Sequence, residues 1–150
     1  MTRALVLAAV LALASCDLLG SDAGRQEALQ EARRRWAAQG SADYTLTVRR
    51  SCFCGQEAIG PALLRVAGGD VVSRIYTETG DPVPEAWARL FPDVEGLFDV
   101  VEDAIERNAD RIDVTYDPRF GYPSEVFIDY EERVADEELG LTVLGFTPGS

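Results

Sequence analysis

The sequence predicts an α+β fold in which two amphipathic helices pack on a mainly antiparallel sheet of about six strands. Two segments repeat apolar residues with the spacing of a helix face, and six shorter segments have the composition and spacing of strands. Their order along the chain is helix, three strands, helix, three strands. Short connections between successive strands favour antiparallel pairing, because parallel strands need long crossovers. The order of the strands within the sheet cannot be determined from the sequence.

The first half of this pattern is a helix followed by three strands. Arg25 to Ala38 carries apolar residues on one helix face, and a glycine that ends the helix follows shortly after it. Tyr44 to Arg50 alternates apolar and polar residues, which predicts a strand with one buried face. Leu63 to Ala67 and Val71 to Thr77 flank the pair Gly68-Gly69, which predicts a hairpin with a two-residue turn.

The second half begins with a helical turn at Trp87 to Phe91. A longer helix is expected from Val94 to about Asn108, with Asp93 as its N-cap. The strands expected after it are Ile112–Tyr116, Val126–Tyr130 and Leu141–Phe146. One core should join both helices to the sheet. Its predicted members are Leu29, Trp36, Tyr44, Leu46, Val48, Leu97, Phe98, Val101, Ile105, Ile112, Val114, Val126 and Ile128.

The N-terminal segment predicts export. Arg3 precedes an uncharged apolar run that is too short to span a bilayer, which takes about 20 residues, but suits the core of a signal peptide. The run ends in Leu13-Ala14-Ser15-Cys16, which resembles the lipobox of bacterial lipoproteins; the alternative is a secretory signal in which Cys16 is incidental. We therefore expect residues 1–15 to be a cleaved signal peptide, 16–24 the lipidated cysteine and tether, and 25–150 a single α+β domain. The protein would be exported and lipid-anchored to the bacterial cell envelope membrane.

The composition narrows the function further. The net charge of −12 disfavours nucleic acid and anionic lipid headgroups, so membrane attachment must come from the lipid. There is no histidine, and all fourteen basic residues are arginine. The commonest general base, the commonest metal ligand and lysine Schiff-base chemistry are therefore excluded. No catalytic constellation is recognisable, and no enzyme activity or cofactor is predicted.

Cys52 and Cys54 are the reactive pair that remains once Cys16 is acylated. In an exported protein they first suggest a disulfide. In a flat strand their Cβ atoms would lie about 6.6 Å apart, whereas a disulfide needs about 3.5–4.5 Å. The strand must therefore end or bulge between Ser51 and Gly55. A local structural disulfide, a buried reduced pair, and a redox-active or soft-metal site all remain open.

Other polar clusters are weaker candidates. Asp117, Phe120 and Tyr122 lie in a dense turn and form a candidate recognition turn, although a purely structural turn is the favoured interpretation. The acidic stretch that begins at Asp129 lacks the spacing of a calcium loop and is expected to be a solvated connector. The helices are expected to have charged outer faces. These are Arg33–Arg35 on the first helix and Asp99, Glu102, Asp103 and Glu106 on the second, while the acidic stretch comprises Asp129, Glu131, Glu132, Asp136, Glu137 and Glu138.

A set of short motifs is spread along most of the chain. They are Trp36, Asp43-Tyr44, Ser51-Cys52-Phe53-Cys54, Gly80, Leu97-Phe98, Val114-Thr115-Tyr116-Asp117-Pro118, Gly121-Tyr122-Pro123 and Ile128-Asp129. Together they resemble an uncharacterised bacterial lipoprotein domain family, the domain of unknown function six-one-seven-four. The resemblance covers about Glu27 to Phe146. It implies the domain boundary and an exported location, and it implies no activity, catalytic residue or ligand.

Three functions follow as hypotheses. The first is a lipid-anchored envelope protein with a non-enzymatic binding or structural domain, whose partner is an envelope protein or a small ligand. The second is a redox or soft-metal lipoprotein that uses Cys52 and Cys54. The third is a hydrolase that uses two carboxylates. Exposed sulfur atoms would favour the second hypothesis, and a cleft with convergent polar groups would favour the third.

Overall fold

The computed structural model describes residues 21–131 and 138–149. The predicted signal peptide, Cys16 and most of the tether lie outside these residues, as does part of the acidic stretch. Within them, no helix combines the length and the apolar character needed to cross a bilayer. The elements are α1 (Asp22–Gln39), β1 (Tyr44–Ser51), α2 (Gln56–Ile59), β2 (Ala62–Ala67), β3 (Asp70–Tyr76), α3 (Glu85–Ala88), α4 (Val94–Glu106), β4 (Arg111–Tyr116), β5 (Pro123–Asp129) and β6 (Glu138–Pro148).

The six strands form one antiparallel sheet, which confirms the α+β prediction. Their order across the sheet is β3-β2-β1-β6-β5-β4, and every neighbouring pair is antiparallel. The first and last strands of the domain therefore lie side by side at its centre. Each half of the chain contributes three successive strands, so most pairings join neighbours in sequence while the β1–β6 pairing joins the two halves.

Local sequence signals set the ends of several elements. The Asp93 side chain accepts a hydrogen bond from Gly96 N at 3.0 Å, which confirms it as the N-cap of α4. Ser21 caps α1 in the same way, by accepting from Gly24 N at 3.2 Å. Gly68 and Gly69 have φ angles of 62° and 86°, and they form the predicted tight turn between β2 and β3. The short helix α2 was not predicted from the sequence.

The core lies between the sheet and the two long helices, as predicted. Twelve of its thirteen predicted members are buried, and Val114 is partly buried against them. Buried and less buried residues alternate in both β1 and β2. The two buried faces coincide, since Leu46 lies opposite Leu64 and both side chains are fully buried. The core extends beyond the predicted set to Phe91, which is also fully buried between α3 and α4.

Of the three arginines predicted to face solvent on α1, Arg34 is exposed, whereas Arg33 and Arg35 are partly buried. Arg33 is partly buried and its guanidinium lies 3.0 Å from Asp99 Oδ1 and 3.1 Å from Glu102 Oε2, on α4. It also lies over the Phe98 ring, 5.1 Å from the ring centroid. The guanidinium of Arg33 thus lies over the apolar ring of Phe98 and pairs with carboxylates of α4. In this way one long cationic side chain joins the two helices.

Truncation of Phe98 tests the core. Phe98→Ala should lower the free energy of unfolding by about 3–5 kcal/mol, because it leaves a cavity in the core and removes the ring beneath Arg33. Phe53→Ala is the matched control, since Phe53 is 89% exposed and its loss should change stability by less than about 0.5 kcal/mol. Denaturant melts measure both variants. A loss below about 1 kcal/mol for Phe98→Ala would contradict the assigned core.

Candidate functional site

The chain leaves the sheet at the two cysteines. β1 ends at Ser51, which is the last residue paired with β6, and Cys52 to Gly55 form a bend before α2. The prediction that the strand ends or bulges here is confirmed. The Cys52 and Cys54 sulfur atoms lie in contact and the Cα atoms are 5.3 Å apart, a separation that disulfides commonly span. We call residues Ser51 to Gly55 the cysteine loop.

Phe53 lies between the two cysteines and points into solvent. Its exposed fraction is 89%, against 54% for Val72, 49% for Leu144 and 39% for Trp87, the other exposed large apolar side chains of residues 21–131 and 138–149. A single exposed apolar side chain is ordinary on a protein surface. Phe53 differs in being almost fully solvated on a loop whose two ends are held together by the sulfur contact.

A cleft of about 330 Å³ lies beside the cysteine loop. It is built by the end of β1, by α2 and α3, and by the neighbouring ends of β5 and β6. The cleft therefore collects side chains from distant parts of the chain, including one tryptophan, one tyrosine and one arginine. We call it the cysteine-loop cleft; its lining residues are Arg50, Cys52, Phe53, Cys54, Ala58, Trp87, Leu90, Tyr130, Glu138 and Leu139.

Arg50 supplies the positive charge of this cleft. Its Nε donates to Cys52 Sγ at 3.4 Å, and burial of the side chain lowers the pKa of the guanidinium. An arginine nevertheless stays protonated at neutral pH. Glu138 is the carboxylate that lines the same cleft.

Tyr130 closes the cleft on the side of α4. Its hydroxyl donates to Asp103 Oδ2 at 3.1 Å, and Arg107 lies over its ring, 4.1 Å from the centroid. Burial raises the pKa of Tyr130, and the hydrogen bond to Asp103 raises it further. The phenol is therefore neutral at physiological pH, and its orientation is set by two residues of α4 and its C-terminal turn.

The two sulfur atoms belong to residues of unequal accessibility. Cys54 is exposed, whereas Cys52 is partly buried beside Arg50. Cys54 is therefore the more accessible of the two residues to a reagent in solvent. This asymmetry matters chemically, because the more accessible sulfur is the easier one to attack.

The candidate recognition turn is held against the rest of the protein. Asp117 Oδ1 accepts from the backbone N–H groups of Arg119 and Phe120, at 2.9 Å and 2.7 Å. Gly121 has a φ of 87°, and Tyr122 is only 8% exposed. The favoured structural interpretation therefore has a physical basis, while a recognition role for Asp117, Phe120 and Tyr122 stays a prediction.

The acidic candidates are separated in the fold. Asp129 is buried and its Oδ1 accepts from Glu131 N at 3.2 Å, while Glu132, Asp136 and Glu137 lie outside the described residues. On α4 the carboxylates of Asp99 and Glu102 pair with Arg33. In residues 21–131 and 138–149, no three cysteine, histidine, aspartate or glutamate side chains gather in a way that could hold a metal ion.

A larger cavity of about 470 Å³ lies between the end of α1 and the start of β1. Several of its polar groups have partners within the protein, whereas the buried Nε of Arg33 makes no hydrogen bond with the described residues. Trp36 Nε1 donates to Glu95 Oε1 at 2.9 Å, and Val94 N donates to the Tyr44 hydroxyl at 3.2 Å. Burial raises the pKa of Tyr44 to about 12, so this hydroxyl is neutral at physiological pH. The groups of this cavity hold the helices in place, and the cysteine-loop cleft is the stronger candidate site.

Sequence reasoning found the cysteines and missed the side chains around them. Arg50 could have been found, because it is an even-numbered neighbour of Cys52 and so lies on the same strand face. Trp87 and Tyr130 carry no such signal. They reach the cysteine loop only because β1, β6 and β5 are adjacent in the sheet and α3 packs near the end of β1.

Comparison with known proteins identifies the family of this domain. No curated protein and no solved structure matches the chain. One family model matches residues 28–148, which is most of the chain and nearly the range expected from the motifs. Its description is "Family of unknown function (DUF6174)". The resemblance seen in the sequence is thereby confirmed, and the chain belongs to this family.

Proposed function

We propose that this protein is a lipid-anchored protein of the bacterial cell envelope whose domain binds a partner protein through Phe53 and the cysteine-loop cleft. The observation that carries the binding role is the nearly complete exposure of Phe53, whose two neighbours in the chain, Cys52 and Cys54, are in contact through their sulfur atoms. The anchoring role rests on the lipobox-like segment that ends in Cys16.

The residue types around Phe53 are those that dominate protein interfaces. Tryptophan, tyrosine and arginine are enriched among residues that carry binding energy, and the cleft contains Trp87, Tyr130 and Arg50. Trp87 is itself 39% exposed. A partner that covered Phe53 and Trp87 would remove both rings from water at the centre of one contact.

The shape of this surface favours a protein partner over a small molecule. Small-molecule sites are concave and enclose most of their ligand. Phe53 instead projects outward from the loop, and the cleft beside it, at about 330 Å³, is at the lower end of the volumes of small-molecule pockets. A projecting ring fits an apolar pocket on another protein, and the loop limits the entropy that it loses on binding.

The loop owes its shape to a disulfide between Cys52 and Cys54, which forms part of this proposal. The contact of the two sulfur atoms and the Cα separation of 5.3 Å support it. The compartment predicted from the N-terminal segment also supports it, because exported proteins form disulfides. The bridge closes a very short loop, so its effect on the unfolded chain is small and its main effect is to hold Phe53 outward.

Replacement of Cys16 tests the anchor. In a bacterial host, the full-length protein should be found in the membrane fraction, and mass spectrometry should show two or three acyl chains on Cys16. Cys16→Ser should move the protein to the soluble fraction, because serine lacks the thiol that carries the lipid and the acidic domain has no other means of stable attachment. Cys54→Ser is the control and should stay in the membrane. Membrane retention of Cys16→Ser at the wild-type level would contradict the anchor.

Thiol titration tests the bridge. The protein as purified, unfolded without reductant, should contain no thiol that reacts at positions 52 and 54. After reduction, two should react at these positions, because the reductant opens the bridge, and the unreduced peptide should have the mass of the bridged form without an added small thiol. Peptide mapping after alkylation assigns the signal to these cysteines. Two free thiols before reduction would show that the sulfur contact is not covalent in the purified protein.

Truncation of Phe53 tests the binding surface. Cross-linking of the tagged full-length protein in its own envelope should capture a partner that Phe53→Ala loses by at least about tenfold, since a residue of this kind contributes about 2 kcal/mol or more. Leu144→Ala removes an exposed apolar side chain elsewhere in the domain and should leave capture unchanged. Phe53→Leu should retain part of it. Equal capture by the wild type and Phe53→Ala would refute this surface.

A further inference from the structure

We propose that the Cys52–Cys54 pair carries out thiol–disulfide exchange with a cysteine thiol of another polypeptide, with Cys54 as the sulfur attacked and Cys52 as the sulfur released. The inference goes beyond the binding role, since it assigns an activity to the loop. It rests on the bridge proposed above and does not depend on capture of a partner by Phe53.

Cys52 and Cys54 differ in their access to solvent. Exchange requires the incoming thiolate to approach one sulfur nearly in line with the sulfur that leaves. Cys54 is exposed, whereas Cys52, the residue directly after β1, is partly buried. The approach from solvent therefore leads to Cys54.

Arg50 lies beside the sulfur atom that would be released. Its Nε lies 3.4 Å from Cys52 Sγ, and the cleft holds this guanidinium beside that sulfur. A neighbouring cation stabilises a thiolate, and a thiol that ionises more readily leaves faster. Tyr130 and Glu138 also face this cleft, while Asp103 and Arg107 act on it through Tyr130. Arg50 is the group among them that contacts a sulfur atom.

The proposed exchange transfers the disulfide bond from the protein to the substrate. The substrate thiol loses its proton to solvent, and its sulfur attacks Cys54 Sγ. A bond forms between these two sulfurs as the Cys52–Cys54 bond breaks, and the bonding electron pair leaves with Cys52 as a thiolate beside Arg50. A second substrate thiolate can then attack the substrate sulfur, which releases a substrate disulfide and leaves the pair reduced. A disulfide of low molecular weight restores the bridge by the reverse exchange and supplies the two oxidising equivalents.

The surroundings of Cys54 define the substrate class. Phe53, Trp87 and Leu90 border the cleft, so a cysteine with apolar neighbours gains contacts that a small polar thiol lacks. The net charge of −12 repels anionic thiols. A neutral, apolar segment of a polypeptide is therefore the substrate that this site fits, and glutathione, which is anionic, should react more slowly.

The experiment locates the first bond formed. The full-length bridged protein in detergent is mixed with a neutral capped tripeptide that has cysteine between two leucines. Acid quenching, alkylation and mass spectrometry then identify the modified sulfurs. The expected product carries the tripeptide on Cys54 and the alkyl group on Cys52, and the tripeptide should react faster than glutathione. Tripeptide attached mainly to Cys52 would overturn the proposed roles.

The role of Arg50 has its own control. Arg50→Gln should slow the exchange, because loss of the neighbouring cation raises the pKa of the leaving Cys52 thiol and a less acidic thiol leaves more slowly. Arg50→Lys should restore part of the rate. Arg49→Gln makes the same change of charge one residue earlier, on the opposite strand face, and should leave the rate unchanged. Equal rates for Arg50→Gln and Arg49→Gln would refute the role of Arg50.

One comparison separates the folded site from the chemistry of the short loop. A bridged peptide of residues 51–55 lacks Arg50 and the cleft, and should react with the tripeptide at both sulfurs. If the folded protein showed the same distribution, the proposed selectivity would fail while the binding role of Phe53 stood. Two free thiols in the purified protein would remove both the bridge and the exchange.

Discussion

Trp36 is the side chain on which the packing of this domain depends. It lies on α1 and donates to Glu95 on α4, which joins the two long helices. Its ring makes edge contacts with Tyr44 on β1, with Tyr122 in the segment after β4, and with Phe146 on β6. Both helices, the central strand pair and the β4–β5 connection are therefore fixed by one indole. Aromatic pairs of this geometry add to the stabilisation that burial alone provides.

The pairing of β1 with β6 determines where the cysteine loop leaves the sheet. β2 pairs with β1 only from Tyr44 to Val48, whereas β6 follows β1 to Ser51. The last residues of β1 thus continue past β2, supported on one side only. The cysteine loop begins where that support ends, so the chain turns outward at Cys52 and places Phe53 in solvent. The exposed site is a consequence of unequal strand lengths at the centre of the sheet.

Binding and exchange would use the same loop for different physical reasons. Binding uses the apolar area of Phe53 and Trp87, which the sulfur contact holds in a restricted arrangement. Exchange uses the difference between an exposed Cys54 and a Cys52 that lies beside a cation. The sulfur that holds the ring outward would also be the one that reacts. A partner seated on Phe53 would therefore lie close to Cys54.

The sequence by itself determined the types and order of the two long helices and the six strands, and most of the core, because these follow from local periodicity and capping. The alternation in β1, the cap at Asp93 and the hairpin at Gly68-Gly69 all depend on residues close in the chain. It also indicated that the strand must end or bulge between Ser51 and Gly55 if the two cysteines are bridged, because a flat strand holds their Cβ atoms too far apart. The family could be named from short motifs for the same reason.

Only the tertiary structure decided the strand order, the partners of Arg33 and the composition of the cleft. The central pairing joins β1 to β6, which are about a hundred residues apart, and the sequence of neither strand indicates which strand it pairs with. Arg33 has the sequence context of a solvent-facing residue, and it is partly buried because α4 packs beside it. Trp87 and Tyr130 reach Arg50 only through the sheet order. Contacts of this kind depend on which surfaces meet, and local periodicity holds no information about that.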